Sequence, residues 1–327
     1  MTRARLLMLS LGGTITMVPQ ARGGIAPRLG AAELVASVPE LAEVAQIEAE
    51  SLARLPSPSL APENLVAVAA RIGQAFAAGA DGAVVIQGTD TIEESAFLLD
   101  LLVAGDRPVV MTGAMRGADA PGADGPANLL AAARVAAGAE ARGLGTLAVL
   151  NYDIHAARFV QKTHTTLPSA FASPMLGPIG AVAEGRPRFF ARVQRLPTYP
   201  AEAGPPPPIA LLRWAMGEDG RLLAALPGLG YAGAVIEGMG AGHVPAGAAE
   251  AVGDLARRMP VVLASRSAAG PVFTGTYGYP GGEIDLIRRG AIPAGLLSGL
   301  KARLLLGLAL RGGAGRAAAE AAFTPYQ

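Results

Sequence analysis

The chain has 327 residues, 51% of them hydrophobic, 16% charged and only 5% aromatic, so its cores must be built from Ala, Val, Leu and Ile, and its length suits two domains rather than one. With 27 basic against 26 acidic side chains and a formal net charge of +1, it offers no electrostatic footprint for a phosphate backbone, and nucleic acid is not expected as a partner. The absence of cysteine removes disulfides, thiolate metal sites and cysteine nucleophiles, and three histidines are a thin basis for a metal site, so no metal and no other cofactor is expected.

The start of the chain, residues 1–11, is basic and then apolar, but the apolar run ends in Gly12-Gly13-Thr14 without a small-residue cleavage site. Residues 5–11 therefore read as a first strand and not as a signal peptide. No apolar stretch approaches the roughly 20 residues needed to span a bilayer, which predicts a soluble, cytoplasmic protein without a membrane partner. Further strands are predicted at 82–87, 108–112 and 146–151, with helices at 63–78 and 92–103. Leu65, Ala69, Ile72 and Phe76 share one helical face, as do Ile92, Ala96, Leu99 and Val103. This βαβ rhythm predicts a mostly parallel sheet with helices on both faces. Residues 198–208 contain five prolines and end in a run of four, which suits an extended linker. The rhythm then returns, with strands at 209–214, 233–237 and 260–265 and helices near 246–258 and 298–310. The expected organisation is α/β throughout: a larger N-terminal domain at 1–190, a proline-rich linker at 191–208 and a smaller C-terminal domain at 209–327.

Two segments put a threonine at the carboxyl end of an apolar strand, where α/β sheets place ligands: Leu11-Gly12-Gly13-Thr14-Ile15 and Gln87-Gly88-Thr89-Asp90-Thr91-Ile92-Glu93-Glu94. The glycine before each threonine lets the backbone approach a ligand, and donors at the following helix start can support an anionic intermediate. Asp90 and Glu93 also have capping-box spacing, and taken alone that structural role is favoured. A third segment, Val110-Met111-Thr112-Gly113-Ala114-Met115-Arg116, leads into Ala123-Asp124-Gly125-Pro126-Ala127-Asn128; alone it is a strand, a glycine-rich loop and a helix opening near Pro126. A fourth, Val160-Gln161-Lys162-Thr163-His164-Thr165-Thr166, carries one of two lysines in the chain, which in isolation reads as a solvated side chain.

Taken in order, these segments resemble the bacterial threonine-dependent L-asparaginase/glutaminase family. The resemblance is carried by Gly12-Gly13-Thr14-Ile15, Gly88-Thr89-Asp90-Thr91, Gly113-Ala114-Met115-Arg116, Ala123-Asp124-Gly125-Pro126 and Lys162-Thr163, and Glu283 and Lys301-Ala302-Arg303 extend it into the second domain. Each fragment is weak and the ordered set is specific. It implies an amidohydrolase acting on the side-chain amide of L-asparagine, with L-glutamine as a second candidate, through a threonyl acyl-enzyme. Thr14 is implied as nucleophile. A threonine hydroxyl needs a base at neutral pH, so Thr89 beside Lys162 and Asp90 makes chemical sense as the supporting group. Gly88 and the Ala114 carbonyl are implied at the substrate, the latter holding the leaving amide. Asp90 and Glu283 fit the substrate ammonium, and Ser57 or Ser59 its α-carboxylate, although a proline-serine turn explains the same residues. The resemblance further implies a homotetramer built from close dimers, each site taking Thr14, Thr89, Asp90 and Lys162 from one chain and Glu283 from its neighbour; alone, Glu283 reads as a solvated loop carboxylate.

The chain also departs from that pattern. The family commonly has a tyrosine in the loop after the first motif, and residues 16–30 contain none. A serine-glutamine pair is replaced by Ser57-Pro58, and an asparagine by the segment Gly240-Ala241-Gly242-His243, where His243 is the nearest polar candidate for the site and equally reads as a loop histidine. Two other functions remain open at this level: a non-catalytic amino-acid-binding or regulatory protein of the same fold, and a nucleotide-dependent enzyme suggested by Gly238-Met239-Gly240-Ala241-Gly242, whose spacing departs from the dinucleotide fingerprint.

Overall fold

The computed structural model describes residues 3–19, 25–27, 29–201, 204 and 206–327, so part of the loop without a tyrosine and part of the proline-rich segment lie outside the described residues. The chain forms two compact units, Met1–Glu202 and Ala203–Gln327.

In chain order the first unit contains β1 (Ala4–Ser10), β2 (Met17–Pro19), β3 (Ile25–Pro27), α1 (Ala31–Ala36), α2 (Leu41–Val44), β4 (Ala45–Ser51), α3 (Pro62–Ala77), β5 (Gly82–Ile86), α4 (Ile92–Leu102) and β6 (Val109–Thr112). It continues with α5 (Gly125–Ala137), β7 (Thr146–Leu150), β8 (Asp153–Ala156), β9 (Gln161–Lys162), β10 (Phe171–Ala172), β11 (Gly180–Ala183) and β12 (Arg186–Phe189). One sheet runs β12-β11-β8-β7-β6-β5-β1-β4. From β4 to β7 neighbouring strands are parallel, and β8, β11 and β12 are added antiparallel. Leu6, Met8, Val84, Ile86 and Val110 form one buried face with residues of α1 and α5, while α3 and α4 pack against the sheet outside that cluster. Burial on both faces is why these strands read as unbroken apolar runs.

The order β4-β1-β5-β6-β7 is a doubly wound arrangement in which the chain reverses direction of growth between β1 and β5, and ligands of such sheets bind outside the carboxyl ends of the strands at that switch. Register makes those ends level: Ser10 pairs with Ile86, and Ile86 with Thr112. The loops after β1, β5 and β6 therefore leave the sheet side by side.

The sequence reading did not anticipate β4. Its residues AQIEAES carry charges because it is the sheet edge, where Glu48 and Glu50 pair with Arg71 of α3. It also missed the β7–β8 hairpin, whose turn residues Asn151 and Tyr152 both have positive φ without the usual glycine signal. The segment after β12 is tied to the first unit: Arg192 donates to the carbonyls of Glu140 and Arg142, Arg195 to those of Val103 and Gly105, and Tyr199 N–H to Leu101 O at 2.7 Å.

The second unit contains β13 (Ile209–Arg213), β14 (Gly233–Gly238), α6 (Ala249–Ala256), β15 (Val261–Ser265), α7 (Glu283–Arg288), β16 (Ile292–Pro293), α8 (Gly299–Ala309) and α9 (Arg316–Phe323). Its four strands are parallel in the order β13-β14-β15-β16. Trp214, Leu223, Ile236, Val252 and Leu286 lie in the core on one side of the sheet, and α8 packs on β13, β14 and β15. The architecture is that expected from the sequence, a larger mostly parallel α/β unit followed by a smaller one. Among the described residues no helix is long and apolar enough to cross a membrane.

Candidate active site

After β1 the chain turns through Gly12 at φ 108° and Gly13 at φ 94°, a region costly for residues with a side chain. Contact makes the second glycine obligatory, because a Cβ at Gly13 would lie 2.1 Å from the Gly88 nitrogen. The first two motifs are thus packed backbone against backbone. A turn at Thr14–Thr16 follows, closed by Thr16 N–H and Oγ1–H donating to Gly13 O at 2.9 and 2.7 Å. Ile15 points into the core, whereas Thr14 is half-buried and its hydroxyl has no hydrogen-bond partner among the described residues.

After β5 a short turn, Thr89–Thr91, opens α4. Thr89 is buried, and Lys162 reaches it from the β9–β10 hairpin with Nζ 2.8 Å from Thr89 Oγ1 and 2.6 Å from Asp90 Oδ1. Asp90 does not cap the helix. Thr91 occupies the cap position without a side-chain capping bond, and the Asp90 carboxylate goes to the lysine instead. Nor is Lys162 solvated: its side chain is 14% exposed, against 59% for its Asp90 partner. At 2.8 Å the Lys162–Thr89 contact is within the hydrogen-bond reach that a proton transfer between the two groups would need.

Ser57 and Ser59, left open by the sequence, are separated by the structure. Ser57 is 2% exposed and covers Gly88, where an added Cβ would lie 2.7 Å from Ser57 Oγ, while Ser59 is exposed. Gln87 Nε2 donates to Thr91 Oγ1 at 3.1 Å, and Thr91 Oγ1 donates to Ser57 O at 3.3 Å, coupling this turn to the Thr89 turn. Beyond β6, Ala114 is buried, and Thr89 Cγ2 packs near the preceding Gly113. Asp124 and Asn128, which in sequence look only like a helix opening, both bind the Gly113–Arg116 loop.

His243 and Glu283 belong to the second unit. Glu283 opens α7 and is completely buried, not a solvated loop carboxylate. Burial alone would raise its pKa, but the N–H groups of Tyr277 and Thr276, each donating to Oε1 at 2.7 Å, and His243 on Oε2 at 3.2 Å hold it below the ordinary carboxylate value. An ionised Glu283 takes the Nε2–H of His243, which leaves Nδ1 to accept the Tyr279 hydroxyl hydrogen at 3.0 Å. Tyr279 is a member of this cluster that the sequence reading missed. The glycine-rich segment before His243 closes on itself through mutual Met239 and His243 backbone bonds at 2.8 Å, so its spacing reflects a tight turn. Among the described residues no group of His, Asp and Glu could hold a metal ion.

The profile for the asparaginase N-terminal domain matches residues 5–195, and that for the glutaminase/asparaginase C-terminal domain matches residues 208–323. The chain belongs to the asparaginase family. Among similar members, a probable L-asparaginase of Deinococcus radiodurans is 39% identical over 332 residues, covering 98% of this chain and 97% of that protein. A probable periplasmic L-asparaginase of Haemophilus influenzae is 33% identical over 317 residues, covering 93% and 88%. The crystal structure of a probable cytoplasmic L-asparaginase from Campylobacter jejuni superposes with a TM-score of 0.89 at 31% identity, covering 98% of this chain and 99% of that one. Asparaginase-family membership thus extends across both units, in agreement with the resemblance carried by the ordered motifs.

Proposed function

We propose that this chain hydrolyses the side-chain amide of L-asparagine to aspartate and ammonia through an ester on Thr14. The observation that carries the reading is the meeting, at the β1/β5 switch, of the Thr14 turn with a Thr89–Lys162–Asp90 chain whose links are 2.8 and 2.6 Å. Thr14 Oγ attacks the amide carbon, its proton leaves with the departing nitrogen, and the C–N bond breaks to release ammonia. Water then attacks the ester. Thr89 takes the water proton as it passes its own to the Lys162 amine, with Asp90 holding the nitrogen in place; the bond between the acyl carbon and the Thr14 oxygen then breaks, the proton returns through Thr89 to the Thr14 oxygen, and aspartate leaves. Ser57 and the Gly88 backbone face the α-carboxylate, Asp90 the ammonium, and the Ala114 carbonyl the leaving amide. Mere amino-acid binding would not require the Lys162–Thr89 link.

The test is kcat/KM for ammonia release from L-asparagine, L-glutamine and D-asparagine. L-Asparagine is expected to lead; since one methylene is worth about 1–3 kcal/mol in a pocket, L-glutamine is expected within about 10- to 200-fold of it. No ammonia from any of the three would remove the reading.

The assembly we propose is a homotetramer of close dimers in which His243, Glu283 and Tyr279 of one chain complete the site of its neighbour. Inactive Thr89→Val and Glu283→Ala chains, unfolded, mixed and reassembled, should regain activity, because a mixed two-fold dimer has one site with both lesions and one with neither. A dead mixture with hybrids verified by native mass spectrometry would place each site within one chain. We assign the protein to the cytoplasm, as the Campylobacter neighbour is named.

A further inference from the structure

We propose that Asp124 and Asn128 are positioning residues that fix the Ala114 carbonyl as the acceptor for the N–H of the departing amide. This rests on the role given to Ala114 above and deepens it. Asn128 is 2% exposed; its Nδ2 donates to Gly113 O at 3.0 Å and to Asp124 Oδ2 at 3.1 Å, and its Oδ1 accepts Asn151 N–H at 2.9 Å. Asp124, at the N-cap of α5, accepts Met115 N–H at 3.0 Å and Arg116 N–H at 2.9 Å. The polar groups on either side of Ala114 are thus drawn toward α5. Ala114 itself is 1% exposed, and among the described residues nothing donates to its carbonyl.

Buried carbonyls are seldom left without a donor, and an unmet one costs about 1–3 kcal/mol. An unmet acceptor whose flanking groups are pinned in place is an acceptor held for a ligand's N–H. The same helix start also backs the nucleophile: a Cβ at Gly125 would lie 2.8 Å from Ile15 Cγ1 and 3.4 Å from Ala114 Cβ. The first turn of α5 therefore sets the Thr14 turn and the Ala114 carbonyl against one surface.

A primary amide leaves with N–H groups and an alkyl ester leaves without any, so the two leaving groups separate this role from general structural support. The experiment compares kcat/KM on L-asparagine with that on the β-methyl ester of L-aspartate, for the assembled wild-type enzyme and for Asn128→Asp and Asp124→Asn. Asn128→Asp keeps the acceptor for Asn151 N–H and loses the donor to Gly113 O; Asp124→Asn loses one of the two loop acceptors and serves where the first variant does not fold. In folded variants, checked by urea melts, a carbonyl displaced by about 1 Å should lower the asparagine value by about 10²-fold and the ester value by less than about threefold. Equal losses on both substrates, or no loss on either, would overturn the proposal. Thr14→Ala is run alongside: its loss of both activities leaves the threonyl reading standing whatever Asn128 does, and its retention of them removes that reading independently.

Discussion

Thr14→Ala is expected to fold like the parent and to release ammonia from L-asparagine at least about 10³-fold more slowly, as for the loss of a nucleophile that works as part of a unit. Two structural facts separate the effect from unfolding. Thr14 is half-buried at the mouth of the β1 loop, and its hydroxyl holds no hydrogen bond to the described residues, so its removal leaves no donor or acceptor orphaned. The turn itself is closed by Thr16 onto Gly13 and by the packing of Ile15, both untouched by the substitution. Stability should therefore change by no more than about 0.5 kcal/mol. Thermal melts with initial-rate assays check both halves; a folded Thr14→Ala protein with near-parental turnover would remove the nucleophile from the account.

Much of this site was legible because its chemistry is written in local sequence. A glycine pair and a threonine after an apolar run announce a strand end and a close approach, and the packing of Gly13 on Gly88 is the physical form of that signal. The same holds for the parallel strands, buried on both faces and therefore continuous in hydrophobicity. What stayed hidden depends on contacts between distant segments. The capping-box spacing of Asp90 and Glu93 favoured a cap, and only Lys162, 72 positions away, reveals where the Asp90 carboxylate goes. Ser57 and Ser59 were indistinguishable in a Pro-Ser-Pro-Ser string until the turn put one over Gly88 and the other in solvent.

Asp124 and Asn128 looked like a helix opening because their work is done on a loop eight to fifteen residues earlier. Glu283 resembled a solvated carboxylate because glycines precede it. Its burial depends on two backbone N–H donors and on His243, 40 positions upstream, which no local pattern discloses. The edge strand β4 escaped for the converse reason: its alternating glutamates are edge protection paired with α3, and they dilute the apolar signal of a strand.

The second large effect is expected at Thr89. Valine matches threonine in shape, so Thr89→Val should leave this buried turn intact, with Lys162 still paired to Asp90 at 2.6 Å. It removes the hydroxyl that, in the proposed mechanism, hands the water proton to Lys162, and the loss of a positioned proton-transfer group slows a step by about 10²–10⁴-fold. Because Thr14 and the Ala114 carbonyl are untouched, attack on the amide should be hindered less than attack of water on the ester, and the ester should accumulate.

Intact-protein mass spectrometry of Thr89→Val, quenched in acid after exposure to L-asparagine, tests the threonyl pathway most directly. The account predicts a mass increase of one aspartyl group per chain, mapped by peptide fragmentation to Thr14, appearing with a stoichiometric burst of ammonia and absent from the Thr14→Ala,Thr89→Val double variant. Residual turnover with no adduct under these conditions, or an adduct on any other residue, would contradict it.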